Sequence, residues 1–92
     1  MNSSVIHEQV VDVQLFALAR ELTSVARVSL EVPVEGRPVT IADVQHALMA
    51  RFPRLASLGA KLLFAVGTQY ADENTVVQPG EPVACFPPVS GG

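Results

Sequence analysis

The sequence predicts an α+β domain in which a mixed sheet packs on one main helix. Two patterns carry that prediction. Apolar residues alternate along residues 11–18 and 28–32, and they recur at helical spacing between Ile41 and Phe52. Length agrees, since 92 residues make one domain able to bury roughly 60–65% of its unfolded surface.

Residues 1–10 are polar without a sustained period and read as a flexible leader. From 11 to 18, Val11, Val13, Leu15 and Ala17 share one face and Asp12, Gln14, Phe16 and Leu18 the other, as in a β-strand. The second face begins polar and ends apolar, so Phe16 and Leu18 either enter a second packing layer or stand exposed in a docking patch. Residues 19–23 form a short turn or helical stub. Val28, Leu30 and Val32 then face inward along a second strand that Pro33 ends, and strands so close in sequence predict an antiparallel pair.

Thr40-Ile41-Ala42-Asp43 has the form of a helix start. The Thr40 hydroxyl can cap the first turn, and Asp43 suits the positive end of the helix dipole. Ile41, Val44, Leu48 and Phe52, with Met49 adjoining, build one apolar stripe, which makes this the principal helix. Pro53 stops it near Phe52, and Leu55 and Leu58 close the core below the next loop. Leu62-Leu63-Phe64-Ala65-Val66 is a continuous apolar run, as expected of a central strand buried on both faces. Gly67-Thr68 marks a turn, Tyr70 begins a short edge segment, residues 75–77 form a further short element, and Gln78-Pro79-Gly80-Glu81 is a tight turn. The last strand covers residues 82–86 and is placed most simply beside the first.

Composition narrows the function. The net charge is −3, with Lys61 the single lysine and five scattered arginines, so the basic stripe that follows phosphates is missing and nucleic acid is excluded as a partner. No apolar run approaches the ~20 residues that cross a bilayer, and the first residues lack a secretory pattern. The expectation is a soluble protein with no membrane partner. Cys85 is the only cysteine, which rules out an internal disulfide and agrees with a cytoplasmic location.

A self-contained enzyme needs a nucleophile, a base and a stabiliser together, and the chain offers few candidates. His7 lies in the leader and His46 on the helix face opposite the stripe; their spacing suits no metal, so no metal site is expected. Cys85 sits in an apolar strand with no adjacent base and reads as a small hydrophobe.

The C-terminus is the distinctive feature. Pro87 and Pro88 favour an extended course and act as a stiff stem. Gly91 and Gly92 make a tip slim enough to thread a narrow channel, and the α-carboxylate of Gly92 can become an acyl donor or thiocarboxylate once activated. The bland alternative is a frayed end, since termini are often disordered.

Cys85-Phe86-Pro87-Pro88-Val89-Ser90-Gly91-Gly92 resembles the C-terminal signature of the MoaD family of ubiquitin-like proteins, the small sulfur-carrier subunits of molybdopterin synthase. The similarity continues through Val13-Gln14-Leu15-Phe16-Ala17-Leu18-Ala19-Arg20-Glu21-Leu22, residues 59–66 and residues 79–84, and covers roughly residues 11–92. Cys85 departs from it, standing where the family commonly has a larger apolar residue, and so does Gly67, where the family commonly has Asn. The resemblance implies the ubiquitin-like β-grasp fold over residues 11–86, with an extended tail at 87–92. It implies that an ATP-dependent activating enzyme adenylates Gly92 and that the adenylate becomes a thiocarboxylate. The large synthase subunit then accepts the tail and the sulfur passes to cyclic pyranopterin monophosphate, within a heterotetramer. The chain itself binds no cofactor and is a non-catalytic subunit, since the catalytic side chains belong to the large subunit.

Phe86, Val89 and Phe16 are the expected docking residues, with Pro87, Pro88 and Ser90 forming the stem and Arg20 matching the family's Arg-Glu-Leu stretch. Phe86 reads equally as a core residue of the last strand, whereas for Arg20 a solvated surface charge is the preferred reading. Three other functions compete: a sulfur carrier for thiamine, tRNA thiolation or cysteine synthesis, which also ends in Gly-Gly; a ubiquitin-like modifier of lysines, whose activation begins identically; and a passive interaction module whose end is inert.

Overall fold

The computed structural model describes residues 7–58 and 61–88. In chain order the elements are β1 (His7–Leu15), α1 (Ala17–Thr23), β2 (Arg27–Val34), α2 (Ile41–Arg51), a 3₁₀ turn (Pro53–Ser57), β3 (Leu63–Val66), β4 (Gln69–Ala71) and β5 (Val83–Phe86). The strands form one five-stranded sheet in the order β2-β1-β5-β3-β4. β1 and β5 run parallel and every other pair is antiparallel, which makes the sheet mixed as expected.

One face of this sheet carries the core. Val11, Val13 and Leu15 of β1, Leu30 and Val32 of β2, Phe64 of β3, and Val83 and Cys85 of β5 are buried against α2, which presents Ile41, Val44 and Leu48. Each such aliphatic side chain contributes about 1.5–3 kcal/mol of transfer free energy. Leu55 seals the core from the 3₁₀ turn, and Phe52 and Met49 pack half-buried at its margin.

The start of α2 follows its sequence. Asp43 Oδ2 accepts from the Thr40 N–H at 2.9 Å and from its hydroxyl at 3.2 Å, closing a capping box. Arg37 then donates from both terminal nitrogens to the Asp43 carboxylate, each at 2.8 Å. That fork holds the Asp43 carboxyl at about 2 against an ordinary 3.8, with the Thr40 bonds assisting and partial burial opposing.

Four expectations need correction. β1 begins at His7 rather than Val11, so residues 7–10 of the expected leader are strand, paired with β2 as far as His7↔Val34; residues 1–6 lie outside the described residues. β1 also ends sooner, at Leu15, because Ala17 turns the chain into α1. Pro33 does not end β2 but pairs with Glu8 inside it, which an edge strand tolerates because half of its N–H groups need no partner. Finally, the run through β3 is not buried on both faces. α2 covers one face only, and Leu63, pointing to the other, is 36% exposed.

Candidate functional site

The face turned away from α2 brings together two of the expected docking residues, Phe16 and Phe86. Leu15 pairs with Cys85 in the parallel ladder, and the Phe16 N–H carries it one step further by donating to the Cys85 carbonyl at 3.2 Å. That step sets Phe16 beside Phe86. Their rings stack at 4.9 Å between centroids, 9° from parallel. Phe86 is a half-buried sheet residue on this outer face and is not part of the core, so its reading as a core residue needs correction. Of the two readings of Phe16, exposure holds, and Leu18 is exposed as well on α1.

Two members of this surface escaped the sequence reading. Leu63 lies directly opposite Phe86 in the antiparallel β3–β5 pair. Tyr70, on the edge strand β4, pairs with Ala65 and tilts over Phe86 at 6.2 Å and 56° while remaining 77% exposed. A signal existed in the Gly67-Thr68 turn. With Gly67 at φ 61° it closes a hairpin in which Val66 faces Gln69 and Ala65 faces Tyr70, so alternation from Leu63 through Ala65 leads across to Tyr70. Asparagine also tolerates that torsion.

The row Phe16, Phe86, Leu63 and Tyr70 therefore runs from the residue after β1 across β5 and β3 to β4, and Pro87 and Pro88, half-buried, leave the sheet from its middle. Aromatic side chains with one face packed and one face open are suited to anchoring a protein partner. Arg20 stands exposed one turn beyond Phe16, with no ion-pair partner among the described residues. The terminal residues Val89, Ser90, Gly91 and Gly92 lie outside the described residues, and so does Gly59-Ala60 within the resembling stretch.

Cys85 faces the core and is fully buried, which pushes its thiol up to about 12. At neutral pH it is a packed thiol rather than a nucleophile. His46 is exposed on α2, in an open groove of about 680 Å³ also lined by Val10, Leu30 and Arg51. This groove opens at the β2 edge, the opposite side of the sheet from Tyr70. No helix among the described residues is long and apolar enough to cross a membrane.

A mixed sheet in this order wrapped on one helix, with its last strand delivered beside its first, defines a ubiquitin-like β-grasp domain. The chain belongs to the ThiS family, whose profile matches residues 13–92. It is 34% identical over 85 residues to the human molybdopterin synthase sulfur carrier subunit, covering 89% of this chain and 93% of that one. To the protein of the same name in Arabidopsis thaliana it is 33% identical over 82 residues, covering 89% and 82%. Among solved structures, SAMP1 from Haloferax volcanii superposes with a TM-score of 0.73 at 28% identity, over 90% of this chain and 99% of that one. A putative molybdopterin converting factor, subunit 1, from Pyrococcus furiosus matches in fold with a TM-score of 0.74 at 24% identity, over 88% and 99%.

Proposed function

We propose that this chain is the sulfur-carrier subunit of a molybdopterin synthase, and that it works by offering the Gly92 carboxyl to two partners in turn. The activating enzyme joins the carboxylate to the α-phosphorus of ATP with loss of pyrophosphate, which makes AMP the leaving group. A sulfur nucleophile displaces AMP and leaves a terminal thiocarboxylate. The large subunit then receives the tail and supplies the catalytic side chains, while the thiocarboxylate sulfur bonds to a carbon of the pterin precursor; water cleaves the resulting acyl thioester, leaving the sulfur on the pterin and returning the Gly92 carboxylate. This chain contributes the reacting atom and the surface that positions it.

One observation supports the reading above the others: the aromatic row lies where the tail begins. From Pro87 to Gly92 the chain spans at most about 20 Å when extended, so a partner seated on Phe16, Phe86 and Tyr70 can hold the Gly92 carboxyl within its own active site. Docking energy gained at the row fixes the position of an otherwise slender tip. The buried, protonated Cys85 supports it too, because it leaves the terminus as the place for sulfur.

Deleting Gly92 should abolish molybdopterin formation in a reconstituted system while the melting temperature stays that of the full chain. Retained synthesis would remove the assignment. The second reading, a modifier joined to lysines, is favoured by the likeness to SAMP1, a small archaeal modifier protein. Lysine-linked adducts that require Gly92 in cells would support it, whereas the higher identity to the named sulfur carriers favours the first.

A further inference from the structure

One backbone torsion beside the aromatic row is out of the ordinary. Ala17 has φ 51°, in the left-handed region where a Cβ crowds the following carbonyl and which few residues besides glycine and asparagine enter. Ser24, the other non-glycine example among the described residues at φ 63°, closes α1 with its N–H on the Arg20 carbonyl at 2.8 Å. That is a common way for a helix to end. Ala17 instead opens a helix, where no such torsion is required. Strain of this kind persists only when the surroundings over-determine the backbone, and it gathers at sites that need a fixed geometry.

The surroundings of Ala17 do over-determine it. Phe16 is extended, with φ −118° and ψ 151°, and its N–H is tied to β5 through the Cys85 carbonyl. Its own carbonyl accepts from the N–H groups of Ala19 at 3.1 Å and Arg20 at 3.4 Å. It reaches them because Ala17 turns the chain off the sheet at once. Ala19, fully buried, anchors the turn from the other side. Phe16 is thus held at both of its peptide groups, at the step where strand becomes helix.

We propose that Ala17 is a positioning residue for docking: its left-handed backbone pins Phe16 between the sheet and α1, and so orders the Phe16–Phe86 stack before the large subunit arrives. The proposal rests on the docking role given above to the aromatic row. A ring ordered in advance loses little freedom on binding, whereas one that must be ordered lowers the affinity.

Ala17→Val tests this, with Ala17→Gly as its control. A β-branched residue is a genuine outlier at positive φ, so valine drives residue 17 out of the left-handed region and undoes the turn that holds Phe16, at an exposed position where its bulk meets no core. Glycine enters positive φ freely and keeps the turn while relieving the strain; that relief and the added freedom of the unfolded chain act in opposite directions, and its melting temperature should move by no more than about 4 °C. In free Ala17→Val, shown folded by circular dichroism, nuclear Overhauser contacts between the Phe16 and Phe86 rings should weaken, and the dissociation constant for the large subunit should rise about two- to tenfold, whereas Ala17→Gly should match the wild type in both. Phe16→Ala is measured in parallel. Unchanged ring contacts and affinity in Ala17→Val, beside a Phe16→Ala that binds weakly, overturn the role of Ala17 and leave the row standing. A Phe16→Ala that binds like the wild type overturns the docking role of Phe16, and the proposal with it.

Discussion

Truncating Phe86 to alanine separates what the aromatic row gives to the fold from what it gives to a partner. Within the fold the half-buried ring stacks on Phe16 at 4.9 Å and tilts against Tyr70 at 6.2 Å. Aromatic pairs contribute about 0.5–1.5 kcal/mol beyond the area they bury, and a half-buried ring forfeits about half of the 3–5 kcal/mol lost on truncating a fully buried one. The sum is about 3 kcal/mol, or a fall of about 12–24 °C in melting temperature for a domain of this size. Against the large subunit, an aromatic anchor is worth about 2 kcal/mol or more, which weakens the dissociation constant about 30-fold. Calorimetric titration of the purified large subunit, run well below both melting temperatures with circular dichroism confirming the fold, reads the second quantity without the first. Phe86→Leu keeps apolar bulk but loses the stack and should fall between the two. A folded Phe86→Ala that binds within twofold of the wild type refutes the row as anchor.

Two further outcomes follow from the core and from the start of α2. Because burial pushes the Cys85 thiol up to about 12, a thiol reagent should label the native protein far more slowly than the urea-unfolded chain at neutral pH, and Cys85→Ser should cost about 1–3 kcal/mol by burying an unpaired hydroxyl. Rapid native labelling contradicts the packing. The Asp43 carboxyl is lower in the folded protein than its ordinary value, so its contribution to stability is complete above about pH 4 and disappears as the pH falls toward about 2. Urea titrations across that range should show Asp43→Asn losing the corresponding slope; an unchanged slope places the acid sensitivity elsewhere.

Much of the fold was legible because local rules and burial agree. Val28, Leu30 and Val32 alternate since one face of β2 is covered, and Thr40, Asp43 and Pro53 bracket α2 by capping and by ring sterics. The placement of β5 beside β1 followed from the order of the elements, and the ladder adds that the pair runs parallel. What stayed hidden has physical causes. Residues 7–10 pair only with the edge strand β2 and lie mostly exposed, so no apolar alternation marks them. The turn at Ala17 is illegible because alanine does not advertise a positive φ as glycine does. Leu63 belonged to an unbroken apolar run that looks alike whether one face or both are covered. The site was legible in its tail, whose chemistry is written in consecutive residues, and partly in Phe16 and Phe86. Tyr70 joins them only through two strand registers, and a single position in an edge strand carries no mark of what lies two strands away.

The central claim is that the terminal carboxyl carries sulfur, and intact-protein mass spectrometry after incubation with the activating enzyme, ATP and a sulfur source tests it most directly. The account predicts a product heavier by one oxygen-to-sulfur exchange, assigned by fragmentation to Gly92 and absent from the chain lacking that residue. Under conditions that convert a known carrier, an unmodified mass, or sulfur located on Cys85, contradicts it.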